Sequence, residues 1–256
     1  MRVTSIQMAM TDRPKEENIE HALRMIDRAP PSDLILLPEI WPCGFFSFDR
    51  YTSDSESIDG PTVRAFKDKA RDRNCHIFMG SMVENHSGQL FNTSVFLNPA
   101  GDIAARYRKI HLFGYQSDEP AILTPGREVV VADTPWGISG FSTCYDLRFP
   151  ELFRRMVNQG AKFFLVASAW PQTRLEAWKL FNQCRALENL AFLISCNCAG
   201  ANQGKTYAGH SMVVDPLGRV VAEGGDEEEW ISARIDPKYV DAVRQDFPAL
   251  DDRVFR

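Results

Sequence analysis

Three short segments of this chain end an apolar run on a residue that can do chemistry. Leu36-Leu37-Pro38 leads into Glu39, and Tyr107-Arg108 leads into Lys109 ahead of Ile110-His111-Leu112. Ser142-Thr143 leads into Cys144, followed by Tyr145-Asp146-Leu147-Arg148-Phe149-Pro150-Glu151. An acid directly after a buried strand is desolvated, the setting in which a carboxyl becomes a useful general base. A cysteine between a strand and a helix start can rest near helical N–H groups, which lower a thiol pKa. A lysine that closes a strand ahead of an irregular loop completes the set. Taken singly, each residue also has an ordinary explanation: a solvated loop carboxylate, a surface lysine, an inert buried thiol.

The elements that position these residues follow from periodicity. The first forty residues read strand, helix, strand: Val3 to Met8, a helix opened by Pro14 with Ile19, Leu23 and Ile26 on one face, then Leu34 to Leu37. Pro61 opens a second helix with Val63, Phe66 and Ala70 inward, before a strand from Cys75 to Val83. The turn clusters Asn85-His86-Ser87-Gly88 and Asn98-Pro99-Ala100-Gly101-Asp102 separate strands that should pair antiparallel, around Leu90 to Leu97 and Ile103 to Tyr107. After an irregular stretch from Leu112 to Arg127, strands at Val129 to Ala132 and Gly137 to Ser142 lead to a helix near Pro150. The pattern then repeats: strand Lys162 to Ala167, then a helix from about Arg174 to Asn189 with Leu175, Trp178, Phe181, Cys184 and Leu187 on one face. Strands at Ala191 to Asn197, Gly209 to Val214, Arg219 to Ala222 and Trp230 to Ile235 follow. The class is α/β with mixed sheets covered by helices, and two sheets face to face is one way to build it. Glu39, Lys109 and Cys144 each fall at the carboxyl end of a predicted strand, where open α/β sheets place their sites.

Composition narrows the function. At 256 residues and 44% hydrophobic content the chain can bury a large core, so one domain spanning 1–256 is expected. A net charge of -5 with interspersed signs offers no face for nucleic acid. No signal-peptide pattern opens the chain, and no apolar run approaches the roughly 20 residues that span a bilayer. Six cysteines scattered through apolar stretches suit reduced thiols in a cytoplasmic protein, and Cys196 and Cys198 read as buried structural thiols. The tail from Lys238 to Arg256 carries Tyr239, Val243, Phe247, Leu250 and Phe255. It is too apolar for a disordered end and should dock on its own core or on a second subunit.

Read together, the three segments resemble the nitrilase, or carbon-nitrogen hydrolase, superfamily, whose catalytic Glu, Lys and Cys match Glu39, Lys109 and Cys144 in order and approximate spacing. The resemblance covers nearly the whole chain. It extends to Pro120-Ala121-Ile122-Leu123-Thr124-Pro125-Gly126, to Trp178 through Asn189, and to Gly209-His210-Ser211-Met212-Val213-Val214-Asp215-Pro216-Leu217-Gly218. It implies a four-layer αββα sandwich of two mixed sheets with helices outside, subunits that commonly pair into dimers or higher homo-oligomers, and no metal or organic cofactor. Amide hydrolysis needs a nucleophile, a base, an acid for the leaving amine and donors for the oxyanion. On the family pattern Cys144 attacks the carbonyl and Glu39 shuttles the proton. Lys109 and the backbone N–H of Tyr145 hold the oxyanion, and Glu119 stands where a second active-site glutamate positions substrate and lysine.

Two further groups carry weaker signals. Ala169-Trp170-Pro171-Gln172-Thr173-Arg174 resembles a Trp-Pro-x-x-Arg stretch of bacterial omega-amidases, which makes Arg174 a candidate clamp for a substrate carboxylate and Trp170 an apolar wall. Asp146, Arg148 and Glu151 read as a charged frame of structural ion pairs behind the nucleophile. His111 and His210 lie in no Cys-His motif, so hydrogen-bonded structural roles are expected. No glycine-rich loop opens a helix to cradle phosphate. The expected activity is cleavage of a small carboxamide through a cysteine thioester, preferably by an omega-amidase acting on 2-oxo-dicarboxylate monoamides. A nitrilase or an N-carbamoyl amide hydrolase shares the trio and stays open, as does a catalytically idle binding member.

Overall fold

A computed structural model of the chain describes residues 1–255. Strands β1 (Arg2–Gln7) and β2 (Ala9–Met10) precede helix α1 (Lys15–Arg28), β3 (Leu34–Leu36), the short α2 (Tyr51–Asp54) and α3 (Pro61–Arg73). A meander of β4 (His76–His86), β5 (Gln89–Leu97) and β6 (Ile103–Arg108) runs through α4 (Glu119–Ile122) to β7 (Val131–Ala132) and β8 (Ser139–Thr143). Next come α5 (Pro150–Asn158), β9 (Phe163–Ser168), α6 (Leu175–Asn189), β10 (Phe192–Asn197), β11 (Ala199–Asn202) and β12 (Lys205–Thr206). The last elements are β13 (Met212–Val214), β14 (Val220–Glu223), β15 (Glu229–Arg234) and α7 (Tyr239–Asp246).

The strands form two six-stranded sheets, in the orders β15-β1-β3-β4-β5-β6 and β14-β13-β10-β9-β8-β7, with a small third sheet, β12-β11-β2. Both large sheets are mixed: β1, β3 and β4 run parallel, as do β8, β9 and β10, while the flanking pairs are antiparallel. Alternation along β3 explains the layers. Leu34 and Leu36 join the core shared with Phe164, Val166 and Leu193 of the opposite sheet. Ile35 and Leu37 join the core shared with Met25, Ile26, Val63 and Phe66 of α1 and α3. Helices α5 and α6 cover the second sheet, so the architecture is the four-layer αββα sandwich.

The hairpins β4-β5 and β5-β6 form where the turn clusters predict them. Two helix faces differ from expectation. The buried side of α1 is Asn18, Ala22, Met25 and Ile26, with Ile19 and Leu23 packed at its flank. On α6 a spacing of three falls about 60° short of a turn at each step, so the supposed apolar face drifts around the helix. Its buried side is Trp178, Asn182, Arg185, Ala186 and Asn189, while Leu180 and Leu187 are exposed. Among the polar members of that side, Arg185 Nε donates across to Leu147 O at 2.9 Å, whereas Asn182 Nδ2 and Asn189 Nδ2 bond back to the helix's own Trp178 O at 2.8 Å and Arg185 O at 2.9 Å. In the tail, α7 buries Val240 and Val243 on the chain's own core, and Arg244 donates to the carbonyls of Leu190, Ala161 and Asn189.

Candidate active site

Glu39 sits on a corner just past β3, held by the neighbouring strand. A bulge in β4 between Phe78 and Ser81 lets Ser81 N donate to Pro38 O at 3.1 Å and Ser81 Oγ accept from Ile40 N at 3.0 Å. Gly80 makes that approach possible: its φ is +67°, and a Cβ there would lie 1.9 Å from Pro38 O. Ile40 has a φ of 42°, rare for a β-branched residue and a sign that the surroundings over-determine this corner. The Glu39 side chain is fully buried. Its Oε1 accepts from Lys109 Nζ at 2.8 Å and Asn92 Nδ2 at 2.8 Å, and its Oε2 from the Ala169 N–H at 3.0 Å.

Lys109 follows β6 directly, and its backbone N–H donates to Asn92 O on β5 at 2.8 Å. The other edge of this backbone is closed by Gly126, which donates to Lys109 O at 2.8 Å and where a Cβ would lie 2.0 Å from Arg108 O. The ammonium is fully buried between two acids, reaching Glu119 Oε1 and Oε2 at 3.0 Å each besides Glu39. Glu119, at the start of α4, also accepts from Asn92 Nδ2 at 3.0 Å and from the Phe113 N–H at 2.7 Å.

Cys144 follows β8 and opens a 3-10 turn, Cys144–Arg148, with a φ of 48°. Asp146 organises this turn. Its carboxylate accepts from Thr143 N at 2.8 Å and from Tyr107 Oη at 2.6 Å on one oxygen, and from His111 N at 3.1 Å on the other, with His111 Nδ1 at 2.7 Å. His111 also stacks on Phe149, ring centroids 3.7 Å apart. His210 lies between Glu223 and Asp226. Both histidines thus have the hydrogen-bonded settings expected of structural residues, and Cys196 and Cys198 are buried.

The charges bear on one another. Burial pushes the Cys144 thiol up and the Glu39 charge adds to it, against opposition from Lys109. The lowered thiol pKa expected from helical N–H groups is therefore reversed, because desolvation outweighs a single short turn. Burial works against the Lys109 charge, but Glu119 and Glu39 more than reverse it and hold the side chain as an ammonium. Glu119 is raised by burial, with Lys109 opposing and Glu39 reinforcing the rise.

Above Cys144 opens a pocket of about 330 Å³ lined by Phe45, Phe46, Phe113, Tyr145, Trp170 and Arg174, among others. Cys144 lines it, with Trp170 and Arg174 in its wall, while Glu39, Lys109 and Glu119 are joined to one another by hydrogen bonds in the buried space beneath its Phe45 and Ala169 lining. Trp170 is buried, its Nε1 donating to Arg174 O at 2.8 Å. The Arg174 guanidinium lies over the rings of Phe113 and Tyr115, at 5.4 and 5.2 Å. The ion-paired frame is not seen as expected: among the described residues Arg148 and Glu151 form no ion pair, and Asp146 pairs with His111. Arg148 instead lies over Trp170 and Phe181 and lines the same pocket, because Asp146 is already saturated by the nucleophile turn. Asn92, Phe45, Phe46 and Phe113 were missed from sequence. Asn92 could have been found by pairing β5 with β6 across the Asn98 to Asp102 turn, which sets it opposite Lys109.

A 2-oxoglutaramate amidase of Bacillus subtilis is 34% identical over 254 residues, covering 98% of this chain and 96% of that protein. A 2-oxoglutaramate amidase of Paenarthrobacter nicotinovorans is 33% identical over 246 residues, covering 93% of this chain and 84% of that one. The crystal structure of Saccharomyces cerevisiae Nit3, a member of branch 10 of the nitrilase superfamily, matches with a TM-score of 0.91 at 31% identity, covering 100% of this chain and 97% of that chain. The carbon-nitrogen hydrolase family model matches residues 2–245, and with a fold and sequence relatives that agree over nearly its whole length, the chain belongs to the carbon-nitrogen hydrolase family.

Proposed function

We propose that this protein is an omega-amidase that hydrolyses the terminal carboxamide of a 2-oxo-dicarboxylate monoamide, with Cys144 as nucleophile, Glu39 as proton shuttle and Lys109 as oxyanion donor. The observation that carries this reading is the placement of Arg174 and Cys144 in one pocket: a guanidinium for the substrate carboxylate in the wall, a thiol for the amide at the floor. The names of the two bacterial relatives support the same substrate class.

Because the thiol is pushed up, it enters the reaction protonated and needs a base during attack. As the sulfur bonds to the carbonyl carbon, Glu39 takes the thiol proton. The C=O pair moves onto oxygen, where the Lys109 ammonium and the Tyr145 N–H stabilise it. The Tyr145 N–H is among the first of a helical turn, whose donors have no partner within the turn. Collapse of the tetrahedral centre breaks the C–N bond, Glu39 returns the proton, and ammonia leaves a thioester on Cys144. Glu39 then takes a proton from water, hydroxide adds to the thioester, and collapse expels the Cys144 sulfur, which regains the proton. The product is the dicarboxylic 2-oxo acid. Glu119 holds Lys109 from the far side and so positions the ammonium for the carbonyl, and Trp170 walls the carbon chain.

Ammonia release from 2-oxoglutaramate, an aliphatic amide, a nitrile and an N-carbamoyl amino acid tests the reading. The 2-oxo amide should be turned over fastest, and preference for the nitrile or the carbamoyl compound would reject it. We further propose that the protein works as a homo-oligomer in the cytoplasm. The exposed Leu180 and Leu187 of α6 and the exposed Phe247, Val254 and Phe255 of the tail support a subunit contact. Six free thiols suit a reducing compartment. A monomeric mass in light scattering would overturn the first of these.

A further inference from the structure

We propose that Asn92 is a positioning residue that ties Glu39 and Glu119 to one another beside the Lys109 ammonium between them and leaves Glu39 Oε2 as the oxygen that takes the Cys144 proton. The site holds two carboxyl groups and one cation in a fully buried space. The other titratable groups that face the pair are Tyr51, Tyr207, Cys198 and Cys144, all held neutral by burial and by the charges of the acids. Neutral donors must therefore supply what Lys109 cannot. Asn92 spends both hydrogens of its amide on the acids, at 2.8 Å to Glu39 Oε1 and 3.0 Å to Glu119 Oε1. Its own Oδ1 is buried without a partner. The reverse orientation would set that oxygen against two carboxyl groups, so the assignment follows from the charges.

The consequence for Glu39 comes from counting its donors. Oε1 accepts from both Lys109 and Asn92, while Oε2 accepts only from the Ala169 N–H. Ala169 lines the pocket together with Cys144, so Oε2 is the oxygen on the thiol side. With Oε1 filled, the incoming proton goes to Oε2. Removing Asn92 frees Oε1 to compete for the proton and strips a donor from both acids, so Glu119, already raised by burial, holds its proton to higher pH.

The test uses Asn92→Ala and Asn92→Ser. Its kinetic arm rests on the amidase reading; a second arm, the pH dependence of Cys144 alkylation by iodoacetamide followed by peptide mass spectrometry, does not. Asn92→Ala should lower kcat about 10- to 100-fold with KM within about threefold, the size of a lost hydrogen bond to a charged group. The acidic limb of kcat/KM should move up by about one to two pH units, and the midpoint of Cys144 alkylation should move down, because acids that keep their proton no longer push the thiol up. Asn92→Ser, which can still donate one hydrogen, should fall between wild type and alanine, and it keeps the test alive if alanine does not fold. A limb and a midpoint that stay in place, or a loss confined to KM, would overturn the proposal. A wild-type protein inactive on every amide but with the alkylation midpoint moving in the variants would reject the amidase reading alone.

Discussion

The Tyr107 hydroxyl donates to Asp146 Oδ2 at 2.6 Å, tying the residue two before Lys109 to the residue two after Cys144. His111, two residues beyond Lys109, reaches the other oxygen of the same carboxylate. One buried acid thus spans the two sheets and sets the spacing between ammonium and thiol. Tyr107→Phe removes one of its donors and should cost about 1 to 2 kcal/mol of stability with a lower kcat. Asp146→Ala leaves Thr143 N, His111 N and the Tyr107 hydroxyl without an acceptor and should cost about 3 kcal/mol or more. Urea unfolding of the two variants checks both, and equal costs would contradict this role for Asp146.

Cys144→Ala should abolish turnover while leaving the thermal midpoint within a few degrees of wild type. The side chain is small, and alanine meets the same positive φ as cysteine. Incubation with substrate and rapid acid quench should give an acyl adduct on the Cys144 peptide of the wild type and none on the variant. Turnover by the alanine variant would remove Cys144 from the mechanism.

The Glu39 charge helps push the Cys144 thiol up, so replacing it has two opposite effects. Glu39→Gln should lose turnover by at least about a hundredfold, as for a general acid-base residue. In the same variant the thiol should titrate at lower pH, because a raised group falls back when the like charge is removed. The midpoint of Cys144 alkylation against pH reads this directly. A midpoint that rises, or stays fixed, would show that Glu39 does not face the sulfur.

Arg174→Ala should raise KM for an anionic amide about 10- to 100-fold, the loss expected of a bidentate guanidinium–carboxylate contact, and leave a neutral amide unchanged. Arg174→Lys should recover little, since an ammonium cannot reproduce the planar fork. Steady-state kinetics on the two substrate types decide it. Equal losses on both would instead assign Arg174 to holding Phe113 and Tyr115, over whose rings it lies.

The strand ends that carry Glu39, Lys109 and Cys144 could be read before the fold was known, but singly each also had an ordinary explanation, and only their joint resemblance to one family set them apart. Leu34 to Leu37 is apolar on both faces, so an acid two residues on had to leave the sheet at its edge. What could not be read were the residues whose role depends on partners distant in sequence. Asn92 looks like any polar residue of a meander until β6 pairs beside it and brings Lys109 opposite. Arg185 breaks the apolar pattern of α6 for a reason found only in space: it holds the Leu147 carbonyl behind the nucleophile turn. Arg148 stands beside Asp146 in sequence only by accident of spacing in the turn, and its guanidinium turns to the aromatic wall instead.

Gly80 and Gly88 separate backbone strain from close approach. Both have positive φ, +67° and +84°, but a Cβ at Gly88 meets nothing within 4 Å, whereas one at Gly80 would lie 1.9 Å from Pro38 O and 2.7 Å from Leu37 O. Gly88→Ala should therefore cost only the left-handed penalty of about 1 to 2 kcal/mol and leave kcat unchanged. Gly80→Ala must also drive the Pro38 carbonyl away from the β4 bulge, and that carbonyl precedes Glu39 directly. Its stability cost should exceed that of Gly88→Ala by about 2 kcal/mol or more, and kcat should fall by more than about tenfold in the fraction that folds, since Glu39 loses its position against Lys109. Differential scanning calorimetry with active-site titration of the folded fraction distinguishes the two effects. Full kcat in folded Gly80→Ala would mean that the corner does not set the place of Glu39.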